Sequence, residues 1–360
     1  MKSTLTKCGK RGYKMKWLIV LQICYLCLGT TKASLNYRPI IGVLSQSVNQ
    51  TGASSNKGET FILLTYIQYL EMAGARVVPI KIGECKEYYE TLFKSLNGVL
   101  FPGGNVSLIK SGYACEGKLF YELAIEANKR GDYFPIWGTC QGFELLSTLT
   151  PGRDVLIPCH AWNIKSALNM SKDFRDSRLY RNIDDATLKF LTKEETTPNF
   201  HNWCLTPENF NLTPALKSFY RVISTNKDRK GKEYISTMEA YNYPFYGTQW
   251  HPEKNNFAWT PSFNVDHSID GVKVGQYMAN FFVNEARKSQ HKFLNVTREQ
   301  DAFIYNYRPE YVKDGQYNIR YIFDKGAPTP ECSVDGKQKP AIACDETMFA
   351  RFYHQKDLIY

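Results

Sequence analysis

The 360-residue chain lacks an apolar run long enough to span a bilayer comfortably, and it has no internal repeat and no low-complexity tract. Its glycine and proline counts, 24 and 16, are modest, and 43% hydrophobic with 22% charged residues is ordinary globular composition. Together these features exclude a multi-span membrane protein, a collagenous chain and a disordered one. Acidic residues are absent from the first 33 positions, where seven basic ones stand: Lys2, Lys7, Lys10, Arg11, Lys14, Lys16 and Lys32. Removing those seven from the 45 basic residues leaves 38 against 35 acidic, so the net charge of +10 falls to +3. The basic excess therefore belongs to a leader rather than to a binding face. With no module of interleaved aromatic and basic residues, a nucleic-acid partner has no support.

The leader itself reads as a secretory signal: a basic start, an apolar stretch from Trp17 to Leu28, and small residues up to Ala33. A stable membrane anchor is the weaker reading, because the stretch is short. Met15 would also serve as a start, making residues 1–14 an upstream extension. Five Asn-x-Ser/Thr sequons follow, at Asn49, Asn105, Asn169, Asn211 and Asn295. They fit passage through the secretory route and glycosylation, with Asn105, beside a glycine turn, expected to be buried and unmodified. Seven cysteines lie beyond the leader: Cys85, Cys115, Cys140, Cys159, Cys204, Cys332 and Cys344. An odd number in an oxidising compartment predicts pairs plus one free thiol, and Cys332 with Cys344 is a plausible local bridge.

Past the leader, strand and helix patterns alternate. Short apolar runs at Pro39–Leu44, Arg76–Ile80, Gly98–Phe101 and Pro135–Trp137 read as buried parallel strands. Helical spacing is read over Thr60–Ala73 (Phe61, Leu64, Ile67, Leu70, closed by Gly74), over Lys118–Arg130 and over Gly271–Arg287. Glu233–Ala240 and Pro244–Trp250 look like two strands closing the sheet, and Arg153–Pro198 shows no firm element. This rhythm predicts an α/β fold: a doubly wound, mostly parallel sheet with helices on both faces and its ligand site at the carboxyl ends of the strands. The division expected is a signal peptide at 1–33, one catalytic domain at 34–324 and an extension of unknown role at 325–360.

The strongest chemical signal is Gly138-Thr139-Cys140-Gln141-Gly142, placed between an apolar strand and an apolar helix start. Two glycines allow the tight strand-to-helix turn of a nucleophile elbow, and the helix N-terminus favours thiolate. The structural alternative is an inert buried cysteine. A thiol nucleophile wants a histidine to exchange its proton, and His251-Pro252-Glu253 ends an apolar strand on the same sheet edge. Glu253 would orient that imidazole. The Gly103-Gly104 pair ends a third strand, and its backbone N–H groups, with that of Gln141, would form an oxyanion hole. Without the cysteine and histidine it would be an everyday turn.

Pro-Gly-Gly at 102–104, the Gly-x-Cys-x-Gly string and His-Pro-Glu, in this order, resemble the class I glutamine amidotransferase superfamily. Within it the longer strings are similar to the gamma-glutamyl hydrolases: Arg38–Leu44, Trp137–Glu144, Asn199–Trp203, Ile235–Glu239 and Tyr243–Asn255. The similarity runs from Arg38 to Asp324. It implies a flavodoxin-like catalytic domain, a homodimer and a lysosomal, vacuolar or secreted location. It also implies cleavage of the gamma-glutamyl bonds of folate polyglutamates, with Cys140, His251 and Glu253 at the triad positions. Glu144, His201 and Trp203 match motif positions that contact substrate, although His201 also reads as a satisfied loop histidine, and Glu239 as structural. Three departures stand out: Gln141 where Leu is usual, Ala258 where Glu is usual before Trp259, and the long tail after Asp324.

The chemistry implied is an acyl-enzyme on Cys140 that water hydrolyses, with no cofactor and no metal required. Two other readings stay open: hydrolysis of another gamma-glutamyl amide or peptide, and a non-catalytic gamma-glutamyl-binding homologue. A glutaminase component feeding a synthase fits poorly with a secretory leader.

Overall fold

The protein is described by a computed structural model over residues 34–47, 59–312 and 319–324. The leader, Asn49, Cys332, Cys344 and the 325–360 extension lie outside the described residues. In chain order, β1 (Ile40–Leu44) and β2 (Gln46–Ser47) are followed by β3 (Thr60–Leu63), α1 (Leu64–Glu71), β4 (Arg76–Ile80) and α2 (Lys86–Phe93). Then come β5 (Gly98–Phe101), α3 (Gly112–Lys129), β6 (Ile136–Thr139) and α4 (Gln141–Leu149). The middle of the chain holds β7 (Ile157–Ser166), β8 (Asn169–Met170), α5 (Asp185–Lys193) and β9 (Thr197–Cys204). After these stand α6 (Pro207–Asn211), α7 (Pro214–Phe219), β10 (Tyr220–Lys227), β11 (Glu233–Ala240) and β12 (Phe245–Thr248). Last are α8 (Lys254–Phe257), α9 (Ile269–Ala286), α10 (Val296–Ala302), β13 (Pro309–Tyr311) and β14 (Ile319–Phe323).

The main sheet has the order β4-β1-β5-β6-β12-β11-β10-β8. Its first five strands are parallel and the last three join antiparallel. Both faces are covered, which is why these strands are apolar at successive positions rather than at alternate ones. In β1, Ile40 and Leu44 enter one core while Ile41 and Val43 enter the other. In β5, Val99 and Phe101 face the first core and Leu100 the second. Residues of α2, α3 and α4 fill the first core, and those of α1 and α9 the second. The described residues from Asn36 to Asp324 belong to one compact unit.

Two smaller sheets flank the main one. β13-β14-β3-β2 is antiparallel throughout, and β7 pairs with β9 as an antiparallel ribbon. Here the sequence expectations need correction. Thr60–Leu63 is a strand rather than the first turn of a helix, because it pairs with both β2 and β14. Gly74 does close the helix, with a φ of +85°. α3 begins at Gly112, six residues before the expected start, where Ser111 caps it by accepting from the Ala114 N–H. The segment without firm elements contains β7, β8, α5 and the start of β9. Among the described residues no helix is long and apolar enough to cross a membrane.

Candidate active site

Cys140 sits between β6 and α4 with φ 52° and ψ −107°, a left-handed backbone that a non-glycine residue seldom adopts. Neighbours over-determine it: its N–H donates to Thr248 O of β12 (2.8 Å), and its carbonyl accepts from Glu144 N (3.0 Å). The flanking glycines are required by close approach. A Cβ on Gly142 would lie 2.0 Å from Phe101 O, and one on Gly138 would lie 2.5 Å from the Gly142 backbone. Strand and helix thus meet backbone to backbone, and the thiol emerges at the carboxyl edge of the sheet.

The thiol is buried and is the free cysteine among the described residues. Its hydrogen bond goes to Phe200 O of β9 at 3.8 Å. Burial pushes its pKa well above the usual thiol range, and the carboxyls of Glu144 and Glu253 add to the push. Lys254 and the Gln141 N–H pull the other way without prevailing. Sequence reasoning placed the thiol correctly at a helix N-terminus, which favours thiolate, but burial moves its pKa in the opposite direction.

His251 follows β12 on the same edge. Its Nδ1–H donates to Glu253 Oε1 at 2.7 Å, which leaves Nε2 buried with no hydrogen-bond partner. Burial holds the imidazole pKa below 6.5 despite the carboxylate beside it. Burial also works against ionised Glu253, but the charge and hydrogen bond of His251, with Lys254, win and keep its pKa below the usual value. Cys140 and His251 both press on Gly103, whose notional Cβ would stand 2.8 Å from His251 Cε1 and 3.1 Å from Cys140 Cβ.

All three groups border one cavity of about 910 Å³, either directly or, for Glu253, through the histidine. The cavity also collects Gly103, Gly104, Gln141, Glu144, His201 and Trp203, the residues the sequence assigned to the oxyanion and the substrate. The Gly103 N–H donates to Tyr66 OH (2.8 Å), so it is engaged rather than free for an oxyanion. Gln141 ties the glycine loop to the elbow: its Nε2 donates to Val106 O (2.7 Å) and its Oε1 accepts from Val106 N (3.2 Å). Glu144 accepts from Gln249 Nε2 (3.0 Å), and burial raises its carboxyl to about 8. His201 is buried and held neutral, its pKa lowered to about 3 by burial. Its Nδ1 lies 3.0 Å from Trp203 O and its Nε2 3.2 Å from Asn199 Oδ1; the neutral ring has one N–H and donates to one of these two oxygens. Trp203 is 48% exposed and, with Trp162, borders the mouth. Glu239 accepts the N–H groups of Arg178 and Leu179, both at 2.9 Å, a structural duty.

Cys159 and Cys204 join β7 to β9 through a disulfide beside His201. Both sulfurs of this cluster of metal-ligand type are therefore committed to each other. Cys85 and Cys115 are also disulfide-bonded. Asn105 is exposed at the cavity rim, contrary to the expectation of burial, and Asn169, Asn211 and Asn295 are exposed as well. Sequence reasoning missed Tyr66, Phe200, Lys254 and Arg320. Lys254 directly follows the His-Pro-Glu string, and its ammonium stands 4.9 Å from the Phe200 ring centre.

A mostly parallel sheet with a cysteine elbow and a His–Glu pair at its carboxyl edge defines a class: a cysteine hydrolase on an α/β framework. Comparison with known proteins narrows that class. Residues 39–253 match the Peptidase C26 family, and the chain belongs to it, among the gamma-glutamyl hydrolases. The gamma-glutamyl hydrolase of Homo sapiens is 44% identical over 288 residues, covering 80% of this chain and 90% of that protein. Its Bos taurus counterpart is 44% identical over 300 residues, covering 83% and 94%. Gamma-glutamyl hydrolase B of Dictyostelium discoideum is 37% identical, covering 81% and 84%. The likeness to one solved structure, a glutamine amidotransferase from Thermotoga maritima, is weak. It has a TM-score of 0.39 at 11% identity, covering 70% of this chain and 99% of that one.

Proposed function

We propose that this chain hydrolyses the gamma-glutamyl bonds of folate polyglutamates through an acyl-enzyme on Cys140. The observation that carries the roles is the buried, unpartnered Nε2 of His251 in the cavity that holds the thiol, with Nδ1–H fixed by Glu253. In the resting state Cys140 keeps its proton and His251 is neutral. As sulfur attacks the gamma-carbonyl carbon, Nε2 takes the thiol proton. The C–N bond then breaks, Nε2–H passes its proton to the leaving amine, and water attacks the thioester by the same route. The N–H groups of Gly104 and Gln141 are the donors assigned to the oxyanion, while Gly103 shapes the gap between nucleophile and base. Glu144 and Trp203 are the substrate contacts, and His201 supports the wall that carries Trp203.

Entry into the secretory route, removal of residues 1–33, glycosylation and delivery to lysosome, vacuole or medium belong to the same proposal, as does a homodimer. Four exposed sequons and the disulfides support the compartment. The test is incubation of the leaderless secreted protein with folate pentaglutamate at mildly acidic pH, with products followed by mass. Shortened folates that vanish in Cys140→Ala support the reading, and their lengths give the mode of cleavage. Intact substrate with the unaltered protein would overturn it.

A further inference from the structure

The sequons differ in what they stand beside. Asn169 lies on β8 opposite Thr225, Asn211 ends α6, and Asn295 caps α10. Among the described sequons Asn105 alone lines the cavity, together with Val106 and Ser107, which complete its triplet. Both Asn105 and Ser107 are exposed. The residue before the triplet is Gly104, whose N–H is assigned to the oxyanion.

Hydrogen bonds hold the main chain on either side of this asparagine. Ahead of it, Pro102 O accepts from Tyr113 OH (2.7 Å), Gly103 O accepts from Gln46 Nε2 (2.6 Å), and Gly103 N–H donates to Tyr66 OH (2.8 Å). Behind it, Val106 exchanges two hydrogen bonds with the side chain of Gln141, the residue that follows Cys140. Anything attached to Asn105 is thus rooted at a fixed point of the rim. In the secretory route the sequon amide takes an oligosaccharide from a polyprenyl pyrophosphate carrier. A C–N bond forms to the first sugar as its C–O bond to pyrophosphate breaks, and the amide proton leaves with the carrier. The product is bulky and hydrophilic. Rooted here, it stands in the solvent before the cavity, where a slim chain passes and a wide molecule collides. Collision discriminates without using any contact to the substrate admitted. Glutamine side chains of proteins carry the same acyl half as a gamma-glutamyl peptide, so a filter on width adds what recognition at the reacting carbon does not supply.

We propose that Asn105 is a glycosylation site whose glycan screens the cavity mouth, admitting slim gamma-glutamyl chains and excluding gamma-glutamyl groups carried on macromolecules. This rests on the secretory and gamma-glutamyl readings given above.

The test uses the secreted protein made with high-mannose glycans, before and after trimming by endoglycosidase H, with peptide masses locating each glycan. Its substrates are folate pentaglutamate and the same compound tethered through its pteridine to dextran. Trimming is expected to raise kcat/KM for the tethered substrate on the order of 10-fold and to leave the free one within about 2-fold, because a steric screen acts on association. Asn105→Gln should show the same gain and no response to trimming, whereas Ser107→Thr, which keeps the sequon, should behave as the parent. Since trimming acts on the unaltered chain, a variant that misfolds does not spoil the test. Alkylation of Cys140 by iodoacetamide and by an iodoacetyl dextran, read at the Cys140 peptide, makes the same comparison without hydrolysis. Glycans on Asn169, Asn211 and Asn295 with Asn105 bare would overturn the proposal and leave the secretory reading standing. No glycan on any sequon would overturn both. A glycan on Asn105 whose trimming changes neither comparison would also overturn it. A trimming effect on alkylation, with neither substrate cleaved, would sink the hydrolytic reading and keep the screen.

Discussion

The two sides of the cavity are built on different principles. On one side, the carboxyl edge of the parallel strands, main chain touches main chain: Gly142 against Phe101 O, Gly138 against Gly142, the Cys140 N–H on Thr248 O. On the other stand two antiparallel pairs, β7–β9, pinned further by a disulfide and the Trp162–Phe200 ring contact, and β3–β14, where Arg320 lies over Phe61. Backbone contacts cannot be retuned by substitution, whereas side-chain contacts can. The edge therefore holds the proposed nucleophile and base in place, and the opposite wall is where substitution is expected to change what reaches them.

That contrast breaks most decisively at the edge. Cys140→Ala should lower kcat/KM by on the order of 10⁴-fold or more, and His251→Asn by roughly 10³- to 10⁴-fold, with melting temperatures near the parent's. His291→Asn is the control. That residue bonds to Phe93 O (2.8 Å) and Asp132 (3.0 Å), so its loss should cost stability while turnover by the folded enzyme stays close to normal. Comparable losses of turnover in His291→Asn and His251→Asn would undo the assignment.

The opposite wall should answer differently. Replacing both Cys159 and Cys204 by Ser opens a 45-residue loop and should cost about 4 kcal/mol of stability by loop entropy. Above that loss, the expected change is a higher KM with kcat within a few-fold, read by steady-state kinetics on the folded protein. A fall confined to kcat would erase the distinction between the two sides.

Titration sharpens the comparison further, because the buried carboxyls and histidines oppose each other. Glu116 and Glu144 keep their protons to about 7 and about 8 when folded but ionise near 4.5 when unfolded, so they withdraw stability as pH rises between those values. His201 and His251 are held below 6.5 in the folded chain, so they withdraw stability as pH falls beneath 6.5. The two effects offset each other between about 4.5 and 6.5, and only the carboxyls act above that. Stability should therefore fall by roughly 2–3 kcal/mol from pH 6.5 to 8, visible in denaturant melts, and Glu116→Gln should flatten part of the slope. A rise over that interval would contradict the burial of these groups.

The smallest expected effect is kinetic. Ionised Glu144 opposes a negative sulfur, so kcat/KM should decline above about pH 8, and Glu144→Gln should extend the plateau upward. An unchanged alkaline limb would remove Glu144 from the electrostatics of the thiol.

The backbone-built side was legible in the sequence and the side-chain-built side was not. Glycines forced by close approach leave a fixed string around Cys140, and doubly covered strands leave unbroken apolar runs. By contrast, Phe61 and Leu64 fit a helical spacing as well as a strand, and Thr60–Leu63 is extended because it pairs with β2 on one side and, on the other, with β14 more than 250 positions away. The β7–β9 ribbon alternates buried and open positions too irregularly to be read locally, and its register shifts twice. Arg320 reaches the cavity solely through β14, so no local pattern announces it. The pull of desolvation on Cys140 was equally invisible, since a sequence shows the helix start but not what covers it.

The resting thiol has one more consequence. A thiolate held ready at all times is the form that hydrogen peroxide converts to sulfenic acid and that exchanges with neighbouring disulfides. Cys140 shares its chain with bonded cysteines, yet burial disfavours the vulnerable form, which in the proposed mechanism arises only as sulfur attacks substrate. In that mechanism the same burial that holds the proton on sulfur also guards the nucleophile against oxidants between turnovers.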